Sequence, residues 1–168
     1  MQQKIIDTHF HIWDLKNNYH WLENMNDYGL NINYFLNNFL DDAKKLNLSK
    51  SVHIQAEIID QNKIFETEWL QKISNNHNSN FPNAIVGFVD LSSKNFISDI
   101  EKHCQYKNFR GIRQILKSTK DDESFLKNDI WINNLKYLEK YNLSFDLLIF
   151  FHQYKSAINV IKKYPNIL

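Results

Sequence analysis

The sequence predicts an α/β fold in which five short β-strands alternate with five amphipathic helices. Apolar, β-branched runs of strand length recur along the chain, and stretches with helical hydrophobic periodicity lie between them. The chain has 168 residues, 43% of them hydrophobic, which is enough for one domain with a sizeable core. We therefore expect a single domain that spans residues 1–168.

The predicted strands span residues 4–11, 51–57, 84–91, 109–116 and 143–150. Apolar stripes mark the helices between and after them. These stripes consist of Leu36, Phe39, Leu40 and Ala43; Phe65, Trp69 and Ile73; Phe96, Ile97, Ile100 and Cys104; Trp131, Leu135 and Leu138; and Tyr154, Ala157, Ile158 and Ile161.

Alternating strands and helices predict a parallel sheet with right-handed crossovers, either doubly wound or closed as a barrel. No glycine-rich phosphate-binding motif follows the first strand, which favours the barrel. A complete (β/α)8 barrel needs about 250 residues and eight units. We therefore expect a partial TIM barrel of about five units, a single incomplete domain that lacks strands six to eight. Residues 164–168 resemble a turn that leads into a sixth strand.

Charge and cysteine content exclude several classes of protein. Twenty Lys and Arg residues balance nineteen Asp and Glu residues, so no basic surface is expected for nucleic acid or for an anionic membrane. The single cysteine, Cys104, gives no internal disulfide, and no signal peptide or membrane span is recognisable. These observations predict a cytoplasmic protein.

The first predicted strand ends in a pair of histidines, His9 and His11. Residues two apart on a strand project from the same face, so two imidazoles here could occupy adjacent positions on one metal ion. The carboxyl ends of barrel strands surround the mouth where active sites lie. His9 and His11 are therefore predicted to bind a metal or a substrate. The alternative interpretation is that both are surface histidines without such a role.

The second predicted strand alternates apolar and polar residues, which predicts that His53, Gln55 and Glu57 face the barrel axis. Glu57, at the last inward position, is suited to bind a metal or a hydroxylated substrate. The alternative is a carboxylate in solvent at the end of the strand. His53 lies deeper, and we expect a core histidine rather than a ligand.

The fourth predicted strand carries Arg110 and Arg113, the two arginines of the chain. Arginine presents a permanently charged, bidentate donor that lysine does not replace. Arg113, nearer the carboxyl end, is a candidate for binding a carboxylate or carbonyl oxygen of a substrate, with a structural ion pair as the alternative. Arg110 is expected to be structural.

The remaining polar residues have weaker assignments. His152, just past the fifth predicted strand, is either a substrate-binding residue or a loop histidine, and Asp146 is expected to make an internal polar contact. His20, His77 and His103 are expected at the surface. Cys104 falls on the apolar stripe of its helix and is expected in the core.

Six segments, in order, resemble the amidohydrolase-related family. They are residues 6–14 (IDTHFHIWD), 19–22 (YHWL), 55–57 (QAE), 87–91 (GFVDL), 111–113 (GIR) and 145–148 (FDLL). The resemblance covers residue 4 to about residue 168 and is greatest to the sugar-lactonase-like branch, which includes fuconolactonases and pyrone-dicarboxylate lactonases.

This resemblance implies a hydrolase in which an activated water attacks the ester carbonyl of a lactone, often of the sugar-acid type. By position, His9 and His11 match the metal-binding pair of the family, and Glu57 and Arg113 match residues at the mouth of the barrel. The implied cofactor is a divalent metal, zinc in the first place, although some members work without one. The aromatic loop up to Trp21 would cover the site or serve packing alone.

The family also carries a histidine on strand six and an aspartate ligand or base on strand eight, and neither strand is recognisable here. No catalytic base is therefore assigned. The leading hypothesis is part of a lactonase-like hydrolase that is inactive alone. A second is a non-catalytic half-barrel that self-associates through exposed sheet edges, or binds a partner or a sugar-like ligand. A third is a complete small α/β fold with another metal function.

Overall fold

The computed structural model describes residues 3–58, 63–116 and 124–168. Within these ranges the chain forms one parallel sheet of five strands in the order β1-β2-β3-β4-β5, so each strand pairs with its neighbours in sequence. The sheet curls into a half-barrel with helices on its outer side. The predicted α/β fold and partial TIM barrel are confirmed.

The strands are β1 (Ile5–Phe10), β2 (Leu48–Ile54), β3 (Ala84–Gly87), β4 (Phe109–Ile115) and β5 (Ser144–Leu148). All five predicted strands exist, but most are shorter than predicted at their carboxyl ends. The second also begins three residues earlier than predicted and ends at Ile54, three residues before Glu57.

The helices are α1 (Leu36–Asp42), α2 (Lys63–Asn76), α3 (Phe96–Cys104), α4 (Asp129–Asn134), α5 (Lys136–Lys140) and α6 (Tyr154–Ile161). Two short helices therefore replace the single helix predicted around Trp131 and Leu138. Short 3-10 turns occupy much of the long loop between β1 and α1, and another turn, Phe151–Gln153, precedes α6.

The core lies between the sheet and the helices. Phe10 of β1 stacks on Phe39 of α1, with ring centroids 4.1 Å apart. At the other end of the sheet, fully buried Trp131 of α4 packs against Phe145 of β5. The opposite, inner face is less covered, and Ile6 of β1 is 55% exposed.

Two predictions for α3 are wrong. His103, expected at the surface, is fully buried, while Cys104, expected in the core, is exposed. His103 bonds to Thr67 at 2.9 Å and to the Phe88 carbonyl at 3.1 Å, and it stacks on Phe109. Burial lowers the pKa of His103 to about 4. At the end of α3 the buried position is therefore residue 103 rather than the predicted residue 104. His103 fills it because its ring nitrogens have two hydrogen-bond partners.

None of the helices in the described part of the chain is both long enough and apolar enough to cross a membrane.

Candidate active site

His9 and His11 lie together at the carboxyl end of β1, as predicted. Their Nε2 atoms are 3.2 Å apart, and the two rings meet edge to face with centroids at 5.0 Å. The side chains of Phe10 and Ile12, between and after them, are buried. The alternation of the strand therefore places both imidazoles on the inner side of the sheet.

A carbonyl group of β2 fixes the orientation of His11. The Nδ1–H group of His11 donates to the Ile54 carbonyl oxygen at 2.7 Å, and this bond requires the proton on Nδ1. The lone pair of the ring therefore lies on Nε2, the atom that faces His9. Burial, together with the nearby Arg113 and His9, lowers the pKa of His11 to about 4 although the hydrogen bond to Ile54 opposes this shift, so the ring is neutral at pH 7.

His53 is fully buried, but the prediction that it faces the barrel axis is wrong. Its Nε2 accepts a hydrogen bond from the Ile12 N–H group at 3.0 Å, and its ring packs edge to face on Phe10. His53 also pairs with Phe10 in the sheet, so both side chains lie on the helix-facing side. β2 also pairs with β3 without a register shift and places His53 opposite Ile85, a core residue of the same helix-facing side. Burial lowers the pKa of His53 to about 3, as for a neutral core histidine.

Gln55, Ala56 and Glu57 lie in an irregular segment after β2 and are not its last residues. Glu57 has a left-handed backbone with φ of 58°, and its N–H group donates to Oε1 of Gln55 at 2.6 Å. The amide side chain of Gln55 is buried, whereas the carboxylate of Glu57 is exposed. The predicted inward strand position of Glu57 is therefore wrong, because β2 ends three residues before it.

Arg113 and Asp146 are register partners on β4 and β5 and face the same inner side. Arg113, 8% exposed, donates from its guanidinium to the Gln55 carbonyl oxygen, and its enclosed Nε has no hydrogen-bond partner among the described residues. Burial lowers the pKa of Arg113, and the negative charges of Glu57 and Asp146 partly offset this effect. The inner face therefore carries an arginine that a backbone carbonyl group holds in place.

Two clefts open around Arg113. The first, of about 180 Å³, is lined by His11, Trp21, Ala56, Glu57 and Arg113. The second, of about 290 Å³, is lined by His9, Arg113, Asp146, Leu147 and Leu148. Each cleft contains one histidine of the pair, and Arg113 belongs to both.

Trp21 brings the long loop after β1 onto the first cleft, as the resemblance implies. Its indole N–H donates to the Ala56 carbonyl oxygen at 2.7 Å, and its ring meets that of Trp13 edge to face. His152 does not join this group. It lies exposed in the turn before α6, stacks on Phe150 and lines neither cleft.

Arg110 lies outside the site, as predicted, and its guanidinium donates to the Lys107 and Phe109 carbonyl oxygens. Two residues at or beside the site, Asp146 and Glu66, were not predicted there. Asp146 lies on the same face as Arg113, a relation that the period of a strand could have indicated. Glu66, in the first turn of α2, is 3% exposed and lies behind the segment that carries Glu57. The sequence does not indicate that Glu66 is buried, because an acidic residue in the first turn of a helix is usually exposed to solvent.

The histidine pair fits part of a metal site. Two ligands of a tetrahedral zinc ion, at the usual Zn–N distance, lie roughly 3.4 Å apart, close to the 3.2 Å separation of the Nε2 atoms. The described residues contain no group of three His, Cys, Asp or Glu side chains placed to hold a metal. Glu57 lines the same cleft as His11, and its part in the predicted metal set stays a prediction.

The parallel half-barrel, with paired histidines at the carboxyl end of its first strand, has the amidohydrolase fold. No protein-family model matches the sequence. A curated relative, the uncharacterized protein y4mH of Sinorhizobium fredii, is 34% identical over 178 aligned positions that cover 97% of this chain. The chain spans 59% of the length of that relative.

Amidohydrolases are among the solved structures that superpose on this chain. One from Burkholderia multivorans with bound zinc superposes with a TM-score of 0.73 at 20% identity, over 95% of this chain and 54% of that one. Another from Bifidobacterium longum subsp. infantis gives 0.70 at 18% identity, over 98% and 59%. A probable 2-pyrone-4,6-dicarboxylic acid hydrolase from Acinetobacter baumannii with bound citric acid gives 0.59 at 15% identity, over 96% and 54%. The likeness of fold agrees with the family that the six segments resemble.

Proposed function

We propose that this chain carries the metal-binding and substrate-binding part of an amidohydrolase-type hydrolase that opens a lactone ring of the sugar-acid type. The observation that carries the proposal is the His9–His11 pair, whose Nε2 atoms lie 3.2 Å apart beside Arg113. The zinc-containing relative of the same fold supports it. Glu57 and Trp21 line the same mouth and add a carboxylate and an aromatic wall.

His9 and His11 would hold a divalent metal, zinc in the first place, through Nε2. The Ile54 carbonyl keeps the proton of His11 on Nδ1 and so leaves Nε2 available for the ion. When bound, such a metal lowers the pKa of a coordinated water and polarises an ester carbonyl. Glu57, which lines the cleft of His11, stays a candidate third ligand, and the remaining positions would be taken by water or by groups outside this set.

Arg113, which lines both clefts, would orient the substrate by donating from its guanidinium to a carbonyl or hydroxyl oxygen. Its hydrogen bond to the Gln55 carbonyl holds the guanidinium still, which favours a defined geometry. Gln55 itself lines neither cleft, so we assign it to the support of Glu57 and Arg113 rather than to substrate contact. His152 has no role in this proposal.

The chain spans 59% of its curated relative, and the resemblance places the catalytic base on a strand beyond the five seen here. We therefore expect metal and ligand binding from the 168-residue chain, with little or no lactone turnover by it alone. The cytoplasmic location suggested by the single cysteine stays a prediction.

The test is a titration of the purified chain with Zn²⁺ and with Co²⁺, followed by calorimetry and by the visible spectrum of cobalt. One ion should bind per chain, and both His9→Ala and His11→Ala should abolish binding, whereas His20→Ala, an exposed loop histidine, should leave it unchanged. Metal binding that survives both substitutions would refute the proposal. Rapid hydrolysis of L-fucono-1,4-lactone by the isolated chain would overturn the expectation of inactivity.

A second candidate function is a non-catalytic half-barrel that self-associates through its sheet edges. The observation that favours it is the open inner face, where Ile6 is 55% exposed, together with edge strands β1 and β5 that each pair with one neighbour in the described residues. Light scattering after size-exclusion chromatography tests this candidate. A dimer that dissociates in the Ile6→Lys variant would support it, and a monomer at all concentrations would exclude it.

A further inference from the structure

The sheet ends at β5, whose outer edge no strand covers within the described residues. The Phe145 N–H group points to this edge and away from β4, because it donates to the carbonyl oxygen of Leu168 at 2.8 Å. Backbone groups along a strand alternate in direction, so Leu147 presents its N–H and carbonyl groups to the same edge. Leu168 therefore lies where a sixth parallel strand would begin, and β5 offers further hydrogen bonds beside it.

An apolar cleft of about 190 Å³ adjoins this edge. Phe145 and Leu147 line it from β5, and Ile161 lines it from α6. Ile161 is 53% exposed, and Leu168, which also lines the cleft, is 94% exposed. We call the outer edge of β5 and this cleft together the β5–α6 surface. Apolar side chains that line a cleft at an open sheet edge gain free energy when another element covers them, so this surface has the character of an interface.

The cleft continues the core layer between the sheet and the helices. Trp131, which is fully buried, also lines it and packs against Phe145. A strand added in parallel to β5 would direct every second side chain into this layer. Apolar residues at those alternate positions would cover Ile161 while the backbone of the strand pairs with Leu147. The β5–α6 surface therefore fits a strand that has one apolar face.

The curl of the sheet limits how many strands can follow. The five strands superpose on amidohydrolases over 95% of this chain or more, so they curl as part of an eight-stranded barrel. Such a barrel leaves room for three further strands between β5 and β1. A second copy of this chain would bring five strands, which is too many for the gap. The chain spans 59% of the curated relative, so that protein has additional sequence that could supply the three strands.

We propose that the β5–α6 surface binds a separate polypeptide that carries three further strand–helix units. The first strand of this partner pairs in parallel with β5, and its apolar side chains fill the cleft. The inference is independent of the proposed hydrolase function, because it uses neither the histidine pair nor Arg113.

The test is co-expression of the tagged 168-residue chain with the carboxyl-terminal part of the Sinorhizobium fredii protein y4mH that this chain does not cover. Size-exclusion chromatography with light scattering should show a one-to-one complex. Hydrogen exchange of the Leu147 amide should slow at least about tenfold in the complex, because its N–H group gains an acceptor. Ile161→Lys places a charge in the apolar cleft and should weaken the complex at least about tenfold. Leu168→Lys does the same at an almost fully exposed position, where it leaves the core intact.

Ile130→Lys is the matched control, since Ile130 is 62% exposed on α4 and does not line the cleft. It should leave the complex unchanged, and circular dichroism of all three variants checks their folding. The inference is overturned if the chain is recovered without the y4mH segment, or if it dimerises with itself in place of that segment. It is also overturned if Ile130→Lys weakens the complex as much as Ile161→Lys, or if exchange of the Leu147 amide does not slow. Zinc titration of the chain alone tests the histidine pair separately, so its failure does not affect this inference.

Discussion

The buried carboxylate of Glu66 accepts a hydrogen bond from the backbone N–H group of Ala56 at 2.9 Å. Trp21 donates to the carbonyl oxygen of the same residue at 2.7 Å. Ala56 is thus held from both sides, by helix α2 and by the long loop after β1, and Glu57 follows it directly. The position of Glu57 at the mouth of the first cleft therefore depends on two side chains that are far apart in sequence.

Substitution of Glu66 should reveal how much this contact stabilises the fold. Glu66→Ala leaves the Ala56 N–H group buried without an acceptor, and at pH 5, where Glu66 is largely protonated, we expect a loss of about 1–3 kcal/mol in the free energy of unfolding. Glu66→Gln keeps an oxygen in place and should cost less. Urea denaturation of both variants measures the difference. Glu68→Ala, which removes a surface ion pair with Lys72, should change stability by less than about 1 kcal/mol, and an equal loss there would contradict the assignment.

Because Glu66 can be charged and glutamine cannot, the difference in the free energy of unfolding between the wild-type chain and Glu66→Gln should depend on pH. Burial raises the pKa of Glu66 from 4.5 to about 7, so the native state binds this proton more tightly than the unfolded chain does. Stability is therefore lost as pH rises from about 4.5 through 7, by up to about 3 kcal/mol. Glutamine carries no such charge. Relative to wild type, Glu66→Gln should become steadily more stable between pH 5 and pH 8, as measured by urea midpoints. A constant difference across that range would show that Glu66 titrates normally.

The tautomer of His11 offers a direct test of the site geometry. Because the Ile54 carbonyl accepts from Nδ1, His11 should carry its proton on Nδ1 rather than on Nε2. Two-dimensional NMR of ¹⁵N-labelled imidazoles distinguishes the two forms. Burial holds the pKa of His11 near 4, so its resonances should not move between pH 8 and pH 6. A protonated Nε2 at neutral pH would remove the atom that we assign to metal binding.

Helix α2 shows where inference from sequence succeeds and where it stops. Its existence follows from the helical spacing of Phe65, Trp69 and Ile73, yet these three residues are only partly buried. The fully buried face instead consists of Glu66, Thr67, Leu70, Gln71 and Ser74. Gln71 accepts from the Asn108 N–H group at 2.8 Å, and Thr67 bonds to His103. Polar side chains with partners on other elements can fill a core, and such partners are invisible to hydrophobic periodicity.

Local sequence patterns also explain which of the predicted site residues were placed correctly and which were not. His9 and His11 were placed correctly because the period of a strand fixes their common face. Glu57 was misplaced because the predicted strand ran on to residue 57, while β2 ends at Ile54 and a left-handed residue turns the chain. Strand alternation gives two possible faces for His53, and the pairing of His53 with the core residue Ile85 of β3 decides between them, which the sequence of β2 alone does not show.

The two arginines of the chain permit a matched comparison of a site residue with a structural one. Arg113→Lys removes the planar donor set that holds the Gln55 carbonyl oxygen between the two clefts, so binding of L-fucono-1,4-lactone should weaken about tenfold. Arg110→Lys makes the same change at an exposed position, where the side chain donates to the nearby Lys107 and Phe109 carbonyl oxygens, and it should leave ligand binding unchanged. NMR titration of both variants provides the measurement, with amide spectra as the check on folding. Equal effects of the two substitutions would mean that positive charge alone, rather than the position of Arg113 between the two clefts, determines ligand binding.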